Sequence, residues 1–186
     1  GVDLNRFDFN PQVREEVRKD NHINNDTKVI GFVGHLRTQK NPMRMLEIFN
    51  AYHKKNCDSV LLIIGIGELE EDMRNYISNN SLDACVKFLG QRTDVERLYQ
   101  AFDGFLLPSI FEGLPVVLVE AQAAGLPCFV SDVQTRQVQL TNEAKYISLD
   151  ESNEQWAEVM ESTLKNYVRK SNYKLLREAE LDIEDT

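Results

Sequence analysis

Short apolar runs alternate along this chain with longer segments whose apolar residues recur every three to four positions. Six runs have the length and content of buried strands: Val29–Gly34, Val60–Gly65, Val86–Gly90, Gly104–Leu107, Cys128–Ser131 and Lys145–Leu149. Helical segments fall between and after them. Pro42 opens one with an apolar stripe of Met45, Leu46, Ile48, Phe49 and Tyr52. Leu69–Asn79 and Val95–Phe102 are two more, and Asn153–Lys165 is amphipathic through Trp156, Val159, Met160 and Leu164. Ahead of the first strand, Gly1–Phe7 leads into a charged stretch expected to hold one short helix around Gln12–Asp20, and Asn24-Asn25-Asp26 reads as a turn. Residues 166–186 are expected to be a second, more charged helical stretch with a frayed acidic end. Alternation of strand and helix from Val29 to Leu149 predicts an α/β fold: a Rossmann-like, doubly wound parallel sheet of about six strands with helices on both faces and right-handed crossovers. Such sheets bind ligands at the carboxyl ends of their strands. Four loops fall on that edge: 34–41, 65–68, 90–94 and 108–115.

The last of these loops runs from a strand into a helix. Pro108-Ser109-Ile110-Phe111-Glu112-Gly113-Leu114-Pro115 follows the fourth strand, and Val116–Ala124 follows the loop. Pro115 suits the first helical position, where its missing N–H costs nothing. Gly125-Leu126-Pro127 supplies a helix stop. The helix is apolar nearly all round, so it is expected to be buried. Glu120 is the exception, and a carboxylate there needs either a structural partner or a ligand's hydroxyls. Glu112 just before the helix reads either as a simple cap or as one wall of an anion site built on the following amides. Two carboxylates flanking a phosphate-ready helix start suit a ligand that carries both phosphates and hydroxyls, a nucleotide sugar.

Composition narrows the choice. The 186 residues are 42% hydrophobic with a net charge of −9, enough for one domain with its own core. The acidic balance argues against nucleic acid and against adsorption to anionic lipid. No run approaches the roughly eighteen apolar residues of a membrane span, and residues 1–20 lack the pattern of a signal peptide. Cys57, Cys85 and Cys128 are odd in number and widely spaced, so neither a disulfide framework nor a zinc site is expected, Cys57 and Cys128 are read as small apolar fillers, and a cytoplasmic setting fits.

Glu112, seven residues, then Glu120 matches the E-x(7)-E motif of retaining glycosyltransferases with the GT-B fold. With its surroundings, P-S-I-F-E-G-L-P-V-V-L-V-E-A-Q-A-A-G-L-P, the stretch resembles glycosyltransferase family 4, and most of all the bacterial enzymes that build capsular or exopolysaccharide. The resemblance implies the carboxyl-terminal, nucleotide-sugar-binding half of such an enzyme. In that family Gly-Val-Asp follows the interdomain linker, so the amino-terminal acceptor domain is expected to lie outside this fragment. Gly34-His35-Leu36-Arg37-Thr38-Gln39-Lys40-Asn41 is similar to the family's G-R-[LF]-x-x-Q-K-N loop. By resemblance, Lys40 binds the donor's diphosphate. His35 stands where the family has Arg, so weaker or pH-dependent phosphate binding is expected unless Arg37 swings in. For His35, Arg37 and Lys40 the competing reading is a solvated loop side chain.

The resemblance extends to the remaining candidates. Glu120 is expected to accept from the ribose hydroxyls. Glu112 is expected to orient the transferred sugar and to stabilise charge at its anomeric carbon. Gly113 and the amides of Leu114, Val116 and Val117 are expected at phosphate or sugar. Arg92 corresponds to a position whose backbone reads the base, and its side chain either stacks on the ring or is a surface arginine. Gly65-Ile66-Gly67 lacks the third glycine of a dinucleotide fingerprint and reads as a tight turn, with or without a base or ribose against its backbone. No D-x-D and no P-loop motif occurs, and no metal or cofactor is expected, the substrate being a nucleotide sugar with UDP favoured. The activity implied is sugar transfer to a lipid-linked or oligosaccharide acceptor, with the full-length enzyme cytoplasmic or peripheral at the inner face of the membrane, and with the fragment alone binding donor but transferring little. Two rivals remain: a nucleotide-sugar epimerase of the same fold, and a nucleotide-binding or interaction module without activity.

Overall fold

The structure is a computed structural model and describes residues 2–179. Six strands, β1 (Lys28–Val33), β2 (Ser59–Ile64), β3 (Val86–Gly90), β4 (Gly104–Leu107), β5 (Cys128–Ser131) and β6 (Ala144–Ile147), form one sheet in the order β3-β2-β1-β4-β5-β6. Every neighbouring pair is parallel. β1 pairs with β2 along its whole length, from Lys28↔Ser59 to Val33↔Ile64. Strands of this kind are apolar throughout because helices cover both faces, and β4 and β5 are buried at every position.

The helices are α1 (Leu4–Phe7), α2 (Pro11–Asp20), α3 (Pro42–Lys55), α4 (Glu70–Asn79), α5 (Val95–Ala101), α6 (Val116–Ala123), α7 (Asn153–Asn166) and α8 (Tyr173–Glu178). α3 packs with α4 and α7, while α1 packs with α5, α6 and α8, and α2 with α5. Right-handed crossovers put these two groups on opposite faces, because the chain moves one way from β1 to β3 and the other way from β4 to β6.

Several expectations at the ends are corrected. Leu4–Phe7 is a helical turn capped by the Asp3 carboxylate, which accepts from the Arg6 amide. The stretch after α7 is not one helix: residues 167–172 leave it, and among its described residues only Tyr173–Glu178 is helical. The reason is tertiary. The Tyr167 hydroxyl donates to Gly125 O at 2.7 Å, and the Arg169 guanidinium donates to the carbonyls of Tyr99, Gln100, Phe102 and Ala124. Those bonds satisfy carbonyls left open at the ends of α5 and α6 and outweigh local helix propensity. Gly1 and the acidic end, 180–186, lie outside the described residues. Cys57 is exposed rather than a core filler, whereas Cys85 and Cys128 are buried.

Asp103 locks the amino-terminal edge of the sheet. Its carboxylate accepts from Arg14 and Arg18, both at 2.6 Å, and from the Val29 amide at 2.8 Å. Arg18 is buried, and its other donors reach the carbonyls of Asn24, Asn25 and Ala101. A charge so buried is tolerable because every donor group finds an acceptor.

Candidate functional site

β1 and β4 are in register only at Ile30↔Gly104 and Gly31↔Phe105. Beyond those pairs the chain leaves β1 toward β2 and leaves β4 toward β5, so a crevice opens where the strand order reverses. The loops on the β1 side are zipped together. Gly34 N donates to Ile64 O and Leu36 N to Ile66 O, both at 3.0 Å, and Gly65 N donates to Gly90 O at 2.9 Å. Gly65 has φ +138°, and a Cβ there would lie 1.8 Å from Gly34 O; one on Gly67 would lie 2.4 Å from Leu36 O. The close approach these glycines permit is to the neighbouring loop's backbone, a role for Gly65-Ile66-Gly67 that spacing alone did not show.

The cleft at this edge has a volume of about 350 Å³. Val33, Ile64, Ile66 and Val95 form apolar walls, and Gly34, His35, Lys40, Gly65, Arg92 and Val117 line it as well. Of the sequence candidates, Glu112, Gly113, Leu114, Val116 and Glu120 belong to the neighbouring loop and helix and are not among the residues that line the cleft, and Arg37 is not brought to it. Its side chain is exposed and makes no hydrogen bond or ion pair among the described residues. Arg92 is at the cleft but is gripped by Asp94 through two 2.9 Å bonds, from Nε to Oδ1 and from Nη2 to Oδ2. That fork raises the guanidinium's pKa and lowers that of Asp94.

The two acids are held differently. The loop 108–112 is stitched to the turn Thr38–Lys40: Ile110 N donates to Gln39 O, Gln39 Nε2 to Phe111 O, and Asn41 Nδ2 to Pro108 O. This brings Lys40 Nζ to 2.5 Å from Glu112 Oε1, which also accepts from Ser109 Oγ at 2.9 Å. The Glu112 side chain is only 7% exposed. Among the described residues Glu120 has no cation and no backbone amide as partner. Its Oε2 accepts from the Tyr99 hydroxyl at 3.0 Å. Burial raises its pKa and Glu96 raises it further, while the Tyr99 bond opposes both. The remaining oxygens, Glu112 Oε2 and Glu120 Oε1, make no hydrogen bond among the described residues and are not buried. Each acid therefore gives one oxygen to the protein and keeps one open.

Between the acids lies the start of α6. Pro115 occupies the N-cap position, not the first helical one, and the helix begins at Val116. The difference matters for the amides. Val116 N turns back to Leu114 O at 2.9 Å, so it is not available. The amides of Gly113, Leu114 and Val117 have no acceptor among the described residues. They sit at the positive end of a helix dipole, where anions are favoured. α6 itself is immobilised by Gln122, which is buried. Its Nε2 donates to Leu118 O and Val138 O, and its Oε1 accepts from the amides of Leu140 and Thr141.

Sequence reasoning missed Tyr99, Ser109 and Gln122. Ser109 and Gln122 lie inside the quoted motif stretch, yet only the structure shows their bonds, Ser109 to Glu112 and Gln122 to the segment 138–141, and Tyr99 lies outside any motif.

The family model described as "Glycosyl transferases group 1" matches residues 13–180. The chain belongs to that family. It is 35% identical over 161 residues to EpsF of Bacillus subtilis (strain 168), which carries a provisional glycosyltransferase name; the match covers 86% of this chain and 42% of EpsF. It is 36% identical over 148 residues to the Escherichia coli UDP-Gal:alpha-D-GlcNAc-diphosphoundecaprenol alpha-1,3-galactosyltransferase, covering 77% of this chain and 38% of that enzyme. The chain thus spans less than half the length of these curated relatives. The structure of Anabaena Alr3699/HepE in complex with UDP superposes with a TM-score of 0.84 at 18% identity, over 99% of this chain and 52% of that one, a likeness of fold. No helix among the described residues is long and apolar enough to cross a membrane.

Proposed function

We propose that this group 1 glycosyltransferase chain is the donor-binding domain of a retaining enzyme. It takes a UDP-sugar and, with an amino-terminal acceptor domain of the same protein, transfers the sugar to a lipid-linked or oligosaccharide acceptor in surface polysaccharide synthesis. The work is done on the cytoplasmic side, with the whole enzyme peripheral to the membrane. The observation that carries this is the pair of acids, each with one open oxygen, on either side of free amides at the switch point. Ribose hydroxyls donate to Glu120 Oε1. The diphosphate accepts from the amides of Gly113, Leu114 and Val117 and from Lys40, with His35 alongside. Glu112 holds a hydroxyl of the transferred sugar.

Catalysis on this reading is positional and electrostatic. Lys40 and the α6 amides stabilise charge on the leaving diphosphate. Departure of that diphosphate leaves positive charge at the anomeric carbon beside Glu112. The donor supplies the leaving group, so no cofactor is required. Support for a UDP-sugar and a lipid-linked acceptor comes from the named activity of the Escherichia coli relative and from the UDP complex of the Anabaena protein. The test is thermal unfolding with UDP, GDP and ADP. Ligand at about 100-fold over its dissociation constant adds about 2.7 kcal/mol of stability. A response to UDP supports the reading; no response to any of the three overturns it.

A further inference from the structure

Tyr99 on α5 is completely buried and packs edge-on against Phe7 and Phe102, with ring centroids 5.6 and 5.5 Å away. Packing alone would be served by phenylalanine. The hydroxyl, however, sits 3.0 Å from Glu120 Oε2 and 3.1 Å from Val117 O, with one proton between two acceptors. An ionised Glu120 takes that proton, because a charged acceptor makes the stronger bond. A neutral Glu120 instead donates to the phenol oxygen and lets it donate to Val117 O. The aromatic neighbours leave the ring one position, so the carboxylate has one fixed anchor. Among the described residues Glu120 has no ion pair and no second side-chain donor.

We propose that Tyr99 is the positioning residue for the ribose-binding carboxylate: it holds Glu120 Oε2 and thereby presents Oε1 to the ribose hydroxyls of a nucleoside diphosphate. The assignment rests on the donor-site reading above. It also explains why a half-buried carboxylate on α6, the helix that reaches the cleft through Val117, needs no cation. A neutral anchor leaves the acid's charge available to the ligand, whereas an arginine would compete with the hydroxyls for it.

Calorimetric titration of the full chain with UDP and with 2′,3′-dideoxy-UDP tests this in the unaltered protein, Tyr99→Phe, Glu120→Gln and the double variant. Loss of one such hydrogen bond is expected to weaken UDP about five- to tenfold in Tyr99→Phe. The dideoxy nucleotide, which has no hydroxyls to present, is expected to bind Tyr99→Phe and the unaltered protein equally, and so reports that the variant is folded. In the Glu120→Gln background Tyr99→Phe is expected to add nothing. Equal weakening of both nucleotides by Tyr99→Phe would reduce Tyr99 to a packing role and overturn the assignment. So would unchanged UDP affinity in Tyr99→Phe beside a loss in Glu120→Gln. If the unaltered protein binds no UDP, or if Glu120→Gln binds it normally, the donor-site reading itself falls and takes this assignment with it.

Discussion

Lys40→Ala removes a group that two parts of the site share. Lys40 Nζ lies 2.5 Å from Glu112 Oε1, with side chains 16% and 7% exposed. Loss of the ammonium leaves Glu112 with the Ser109 hydroxyl and one open oxygen. Glu112 is therefore not stranded as in a sealed ion pair, where losing one partner costs about 3–5 kcal/mol. A charge-assisted bond at a partly open site is the better measure, so Lys40→Ala is expected to lose about 1–3 kcal/mol of stability by urea unfolding. UDP binding should fall by a similar amount, about 5- to 150-fold in Kd by calorimetry. Glu112→Gln separates the two roles. It removes the ion pair but leaves Lys40 free for the diphosphate, so it should cost stability and hold or improve affinity for UDP, which carries no sugar. The reasoning is refuted if Lys40→Ala binds UDP normally, or if Glu112→Gln loses UDP affinity as severely as Lys40→Ala does.

Three further outcomes follow from the geometry. Gly65→Ala forces a Cβ to 1.8 Å from Gly34 O at φ +138°, so a loss of about 2–4 kcal/mol is expected, measured by denaturant unfolding; a change under about 0.5 kcal/mol would mean the loops are not zipped as described. Asp103→Ala leaves the buried Arg18 guanidinium without its carboxylate and should cost about 3–5 kcal/mol; a loss below about 1 kcal/mol would show the charge is compensated elsewhere. Burial raises the Glu120 carboxyl above its ordinary 4.5. Because the folded pKa is the higher, its contribution to stability is full below that ordinary value and is lost as pH rises through the folded one. Glu120→Gln should remove that part of the decline in an unfolding series over about pH 4 to 8, and an identical profile would refute the shift.

Much of the fold could be read along the chain. β3, β4 and β5 lie at the predicted residues, and the other strands are displaced by one or two positions. Long apolar runs in alternation with helical periodicity admit little besides a parallel sheet. Glycine and proline marked real ends: Gly125, with φ +74°, follows α6. Where local signals misled, a tertiary contact had taken over, as when Arg169 gave its donors to the end of α5 and the chain around it could not stay helical.

The sequence by itself determined the sheet, the edge on which the four candidate loops gather, and the acids and lysine of a family motif. Only the tertiary structure decided how those groups are occupied. Lys40 and Glu112 meet across 72 residues, Tyr99 reaches Glu120 across 21, and Gly65 is needed because Gly34 passes above it. Periodicity is a property of one segment at a time. Contacts of this kind depend on which strands become neighbours, and here the order reverses between β1 and β4, which no single segment encodes.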